Sequence, residues 1–383
     1  MYFSTNLITM PDNTNSNLMK HGLGDAAVLR IAASLSQLIP HFDAKAFHRD
    51  AMQGIEALEL KERVHHLIGI LHRHYDMPFL ALCDYLMMLP ELWNRGKPQD
   101  AKAGFAAWPV IDYVAIHGLA HPQESFAVLE RLTLLFTAEF AVRPFIAQYP
   151  ALAHRQLLQW CEHESEHVRR LASEGARPRL PWGMQLTQFV QEPAPLKALL
   201  QKLKTDPSLY VRRSVANNLN DISKDNRDWM IALCSEWKKD QHPHTDWIVK
   251  HAMRSLIKSG DARVFPLLGF TDSPDVSIGG IELSATRINM GDELQFSFAL
   301  TGNASHQQQL VVDYVMYFMK ANGKLAPKVF KLKSLKLAPN VTESIRKKHA
   351  FKNISTRVYY AGKHVLAIHV NGKELARCEF DLC

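Results

Sequence analysis

Three groups of residues in this 383-residue chain could do chemistry by type and spacing. His163, Glu164 and His167 in "HESEH" fit H-E-x-x-H, which holds zinc when both histidines share one face of an unbroken helix and the glutamate activates a water. Glu139 and Arg143 in "LTLLFTAEFAVRPFI" stand four residues apart, so a helix there sets a carboxylate and its counter-ion one turn apart among Phe136, Phe140 and Val142. In "HVRRLASEGARPRLPW", Arg170, Glu174 and Arg177 fall at i, i+4 and i+7 on one face, beside a buried stripe of Val168, Leu171, Ala172 and Gly175. Arg179 and Trp182 follow in a segment stiffened by two prolines. Each glutamate is open to two readings: an ion pair worth a few tenths of a kcal/mol, or a placed carboxylate.

The elements that position these residues follow from periodicity. Residues 20–270 read as helices of about 12–17 residues with short breaks, suited to stacked hairpins. "HESEHVRRLASEGARP" resembles "DPSLYVRRSVANNLND", and "HTDWIVKHAMRSLIKSG" is a weaker third copy; their valines, 168, 211 and 249, lie 43 and 38 residues apart. HEAT-type helical pairs repeat at roughly 40–47 residues and leave a concave inner face free. The same ridge positions carry Arg213, Asn217 and Asn220 in the second copy, with Asp221 adjoining, and His251, Ser255 and Lys258 in the third. The alignment lays His163 over Asp206 and Glu164 over Pro207, so a helix boundary is predicted at 163–165, with His163 capping and His167 exposed. That boundary argues against the zinc reading.

After "GFTDSPDVS" the pattern changes to short β-branched or aromatic runs with "TGN", "ANGK" and "NGK" turns; seven predicted strands in about a hundred residues suggest an Ig-like sandwich without its disulfide. The fold class expected is multidomain α + β: a HEAT-like helical solenoid over 18–272, an all-β Ig-like sandwich over 277–383, and a disordered leader over 1–17.

The totals narrow the class. Net charge is +7, all of it from residue 277 onward, where 15 Lys and Arg face 8 Asp and Glu. A basic end on a balanced body suggests an anionic partner, nucleic acid or a membrane surface, or else a solvated lysine-rich face. Five isolated cysteines without a C-x-x-C pair point to a reducing compartment. No apolar run reaches membrane-spanning length, and the first residues lack a secretory pattern. A cytoplasmic location is expected.

"LMKHGLGDAAVLRIAA", "FTAEFAVRPFI", "HVRRLASEGARPRLPW" and "SVANNLNDISKDN" together resemble the AlkC branch of the HEAT-like DNA alkylation-repair glycosylases, in the subgroup with a C-terminal Ig-like domain. The resemblance covers nearly the whole chain. It implies excision of N-alkylated bases, chiefly 3-methyladenine and 3-methylcytosine, from double-stranded DNA, without full base extrusion, by a monomer needing no cofactor or metal. It implies that Glu174, Glu139 and Asp221 are the acidic active-site residues and that Arg170 and Trp182 lie near the lesion. Arg143, Arg177, Arg179, Arg212, Arg213, His251 and Arg254 complete the expected DNA contacts, and the basic strand module is expected to close over the duplex. A catalytically silent helical scaffold that binds DNA or protein is the alternative of another class.

Overall fold

The computed structural model describes residues 18–96, 103–352 and 357–383. The expected leader, 1–17, lies outside the described residues. Among the described residues, no helix is long and apolar enough to cross a membrane. The chain packs as two compact units, the first ending at Arg227 and the second running from Asp228 to Cys383.

The first unit is helical. Its helices are short and amphipathic, and many begin where a capping side chain or a proline sits. The helix Glu166–Gly175 starts at Ser165, whose hydroxyl accepts from His167 N. The helix Leu209–Ile222 starts at Ser208, whose hydroxyl accepts from Tyr210 N. These two equivalent helices pack together, and Val168, Leu171 and Ala172 of the first and Val211, Ser214, Val215 and Asn218 of the second are all buried. Asn218 Nδ2 donates to Ser173 O at 2.9 Å across the contact. Gly175 permits a close approach on the opposite flank: a Cβ there would lie 2.4 Å from Val142 Cγ1.

The first arginine of each "VRR" tightens its own loop. Arg169 Nη1 donates to the carbonyl oxygens of His163 and Glu164 at 2.9 and 2.7 Å, and its Nε reaches Asp206 Oδ2 at 2.6 Å. Arg212 Nη1 donates to Asp206 O and Pro207 O, both at 2.7 Å. The repeat thus includes a loop staple as well as an apolar stripe.

The expected helix through Glu139 is absent. The preceding helix, Pro122–Leu132, ends before Thr133, and the next runs from Arg143 to Gln148; turns fill the interval. Thr133 and Thr137 side chains accept the N–H groups of Ala138 and Glu139 at 3.3 Å each. This is side-chain competition with the helical ladder, and Pro144 supplies the restart.

The second unit joins helices to strands. After the helices Pro243–Ala252, Arg254–Ser259 and Val264–Leu267 come, among the described residues, nine strands: β1 (Val276–Ile278), β2 (Glu282–Leu283), β3 (Arg287–Ile288), β4 (Glu293–Gly302), β5 (Gln308–Met319), β6 (Leu325–Leu337), β7 (Thr342–Ala350), β8 (Gly362–Val370) and β9 (Lys373–Leu382). One sheet centres on β4, paired antiparallel with β1, β2 and β7; the other runs β3-β9-β8-β5-β6. The run "VSIGGIEL" forms two strands, parted at Gly279–Gly280, and β3 is a two-residue parallel pairing with β9 that carries no periodic signal.

The two sheets share a core of alternate residues: Leu294, Phe296, Phe298 and Leu300 from one, Leu310, Val312, Tyr314, Met316 and Phe318 from the other. The opposite face of β5 is also buried, through Val311, Asp313 and Val315. Here Asn371 ties the sheet to the helical segment: its Nδ2 donates to Thr271 O at 2.7 Å and its Oδ1 accepts from Val311 N at 2.8 Å.

Candidate active site

Glu139, Glu174 and Asp221 come together through arginines. Arg170 Nη1 lies 2.7 Å from Glu139 Oε2 and 2.8 Å from Thr137 Oγ1, and its Nη2 lies 3.5 Å from Glu174 Oε1. Arg177 Nη1 donates to Glu174 Oε1 and its Nε to Asp221 Oδ2, each at 2.7 Å. Lys224 Nζ closes the chain on Asp221 Oδ1 at 2.8 Å. The order is therefore Glu139–Arg170–Glu174–Arg177–Asp221–Lys224, strung across one turn region and two successive repeats.

Every member of this chain but Lys224 is largely buried; Glu174 is 5% exposed. Burial opposes the charges on Arg170 and Arg177, but the adjoining carboxylates outweigh it and hold both arginines above the ordinary range. Ser214 Oγ donates to Glu174 Oε2 at 2.6 Å and Thr137 Oγ1 to Glu139 Oε2 at 2.8 Å. Arg170 also sits over the Tyr210 ring, 4.8 Å from its centroid. The arrangement keeps three carboxyl groups in fixed positions in a poorly solvated place, where charge acts over the longest range.

The expected pairing of Glu139 with Arg143 fails, because Arg143 points elsewhere. It is 0% exposed, and its Nε and Nη1 donate to Met184 O at 2.7 Å and Gly175 O at 2.8 Å. Burial and the nearby Arg177 push its guanidinium down to about 10. Such a side chain braces the backbone through two of its nitrogens and is shielded from the surface, while its Nη2 is buried without a hydrogen bond. Arg212 is engaged by its loop carbonyls and Arg179 by a bidentate pair with Asp225 at 2.6 and 2.7 Å. Arg213 is exposed on the surface. His251 and Arg254 belong to the second unit, where they line a cavity of their own.

Trp182 is 59% exposed with φ of +65°, a left-handed conformation costly for a bulky residue. Lys61 Nζ donates to its carbonyl at 2.6 Å. The ring borders a cleft of about 310 Å³ that also takes in Trp108, Asp112, Phe140 and Met184. Trp108 Nε1 donates to Asp112 Oδ2 at 2.7 Å, while Asp112 Oδ1 is buried without a hydrogen bond. Burial pushes the Asp112 carboxyl up to about 7 against the pull of the indole and of Lys61.

The H-E-x-x-H string does not form a zinc helix. His163 lies in the loop before the Ser165 cap, and its Nδ1 accepts from Ser165 N at 2.9 Å. His167, in the first turn, is exposed. The predicted boundary is present, with the cap two residues later than expected.

Sequence reasoning missed Ser214, Thr137, Tyr210 and Lys224. Ser214 carried a signal, since it occupies the stripe position that Leu171 holds in the previous repeat. A hydroxyl where the repeat demands an apolar side chain asks for a buried partner.

Residues 277–383 match a family model described as the C-terminal Ig-like domain of the uncharacterised protein YhaZ. A Bacillus subtilis (strain 168) protein described as uncharacterized protein YhaZ is 42% identical over 272 residues, 71% of this chain and 75% of that one. The structure of the Pseudomonas fluorescens alkylpurine DNA glycosylase AlkC, bound to DNA containing an abasic site analog, superposes with a TM-score of 0.88 at 36% identity, covering 95% of this chain and 99% of that one.

Proposed function

Since the chain belongs to the AlkC family of HEAT-like DNA alkylation-repair glycosylases, in the subgroup with a C-terminal Ig-like domain, we propose that it hydrolyses the N-glycosidic bond of cationic N-alkylated bases in double-stranded DNA. 3-Methyladenine and 3-methylcytosine are its substrates, reached without full extrusion of the base. It acts as a cytoplasmic monomer and needs no cofactor or metal.

The chemistry suits the site. A base alkylated on a ring nitrogen already carries positive charge, so the C–N electron pair leaves with it and no acid is needed. Positive charge then builds on the deoxyribose, as in other oxocarbenium-like reactions. A fixed carboxylate lowers that barrier, and one that also holds a water aims the oxygen at C1′ and takes up its proton. Glu174 has the main role, with Glu139 and Asp221 placing water and shaping the field. Arg170 and Trp182 stand by the lesion, and Arg213 contacts phosphate without reading sequence.

The observation that carries this reading is the chain of three buried carboxylates fixed by Arg170 and Arg177. The same pairing also favours a second reading, a silent DNA-binding scaffold in which the carboxylates only hold helices together. Glu174→Gln separates the two. A glycosylase loses roughly 100- to 1,000-fold in single-turnover excision and still binds DNA; normal excision by the variant would sink the mechanism.

A further inference from the structure

The second unit contains a cavity of about 400 Å³ that no residue of the carboxylate chain lines. One wall is helical. Trp247 and His251, one turn apart, stack with ring centres 5.0 Å apart and planes 8° from parallel. The half-buried Ile257, Leu268 and Phe270 extend this wall. The other wall is the outward face of β5 and β6. A register shift between Val312 and Asp313 interrupts the β5–β6 pairing here, and Val311 and Asp313 line the cavity as buried side chains.

Four cations, Lys250, Arg254, Lys258 and Lys331, line the same space, against the single carboxyl group of Asp313. Burial pushes that carboxyl up to about 6, although Lys331 and Lys258 pull it down. A cleft of this volume with mostly apolar walls and a few polar groups is the usual form of a small-ligand site. Aromatic rings favour a flat partner. Excess positive charge between low-dielectric walls concentrates anions.

We propose that this cavity binds a nucleotide unit: a planar base against Trp247 and Phe270, its exocyclic amino group donating to Asp313, and its phosphate among the lysines and Arg254. The nucleotide comes either free in solution or as an unpaired residue at the end of a DNA strand. The site is independent of the glycosylase reading and stands whether or not the chain cleaves glycosidic bonds.

The test uses the full chain. In calorimetry at pH 7.5 and low salt, adenosine 5′-monophosphate binds at one site, and adenosine, inorganic phosphate and inosine 5′-monophosphate each bind at least about tenfold more weakly, a step of about 1.4 kcal/mol. Lys331→Glu and Trp247→Leu each weaken the nucleotide by a similar factor without lowering the melting temperature of the first unit. If the source is a strand end, a duplex with a one-nucleotide 3′ overhang binds more tightly than its blunt counterpart, and Lys331→Glu removes the difference. Binding in either arm that responds to both variants supports the site. Phosphate binding as tightly as the nucleotide, indifference to both variants, or no binding in either arm overturns it.

Discussion

The Ser214 hydroxyl donates to Glu174 Oε2 at 2.6 Å, so a residue of one repeat orients the central carboxylate of the one before it. Hydrogen bonds to charged groups contribute about 2 kcal/mol, and this one fixes how the Glu174 carboxyl is turned. Ser214→Ala is expected to lower single-turnover excision roughly 10- to 100-fold while the chain stays folded. Unchanged excision, with melting confirming the fold, would show that Glu174 does not depend on this bond.

Arg143 and Arg213 predict opposite behaviour. Truncating the buried Arg143 leaves two backbone carbonyls without their donor, so Arg143→Ala lowers stability by about 3 kcal/mol. Truncating the exposed Arg213 leaves stability alone and flattens the slope of log affinity for DNA against log salt by about one. Denaturant melts and binding across a salt series check both. A changed slope with an unchanged melt for Arg143→Ala would mark it as a DNA contact.

Asp112 predicts a pH effect of definite sign. Its folded carboxyl titrates near 7, above its value in the unfolded chain. Between about pH 4 and 7 the folded state therefore holds the extra proton, and stability contributed by this site falls as pH rises through that window. Asp112→Asn keeps an acceptor for Trp108 and removes the titration. The variant's stability relative to the native chain should rise steadily from pH 4.5 to 7.5. A flat difference would place the Asp112 titration outside this range.

Trp182 combines exposure with a left-handed backbone. A glycine there relieves strain of about 1–2 kcal/mol and forfeits little burial. Trp182→Gly should melt at or above the native temperature and excise damaged bases more slowly. Parallel melting and excision assays test this; full activity would reduce Trp182 to a surface residue.

The helical repeat was legible because Val168, Leu171, Ala172 and Gly175 keep their spacing, and because Asp206 and Pro207 expose the boundary that breaks "HESEH". The ridge carrying Arg170, Glu174 and Arg177 followed from the same periodicity. The surroundings of Glu139 were not, since Phe136, Glu139, Phe140 and Arg143 suit a helix that Thr133 and Thr137 locally undo. Pro144 was the readable warning, because a proline restricts the residue before it. Arginines were hardest to assign. Arg169 and Arg170 are adjacent letters, yet one staples a loop and the other bridges two carboxylates. Helical position gives direction but not reach, and a long side chain chooses among partners that only the tertiary packing brings near.

The alternation of acid and base from Glu139 to Lys224 bears on how a polyanion could ever settle there. Three bare acidic groups side by side would drive DNA away. With Arg170, Arg177 and Lys224 interleaved, the formal charges cancel, so an approaching duplex meets no barrier of like sign. A sugar cation formed at close range still senses whichever oxygen is nearest, because cancellation over the whole string does not extend to a few ångströms. One row of side chains can in this way be indifferent to the helix and attentive to the bond.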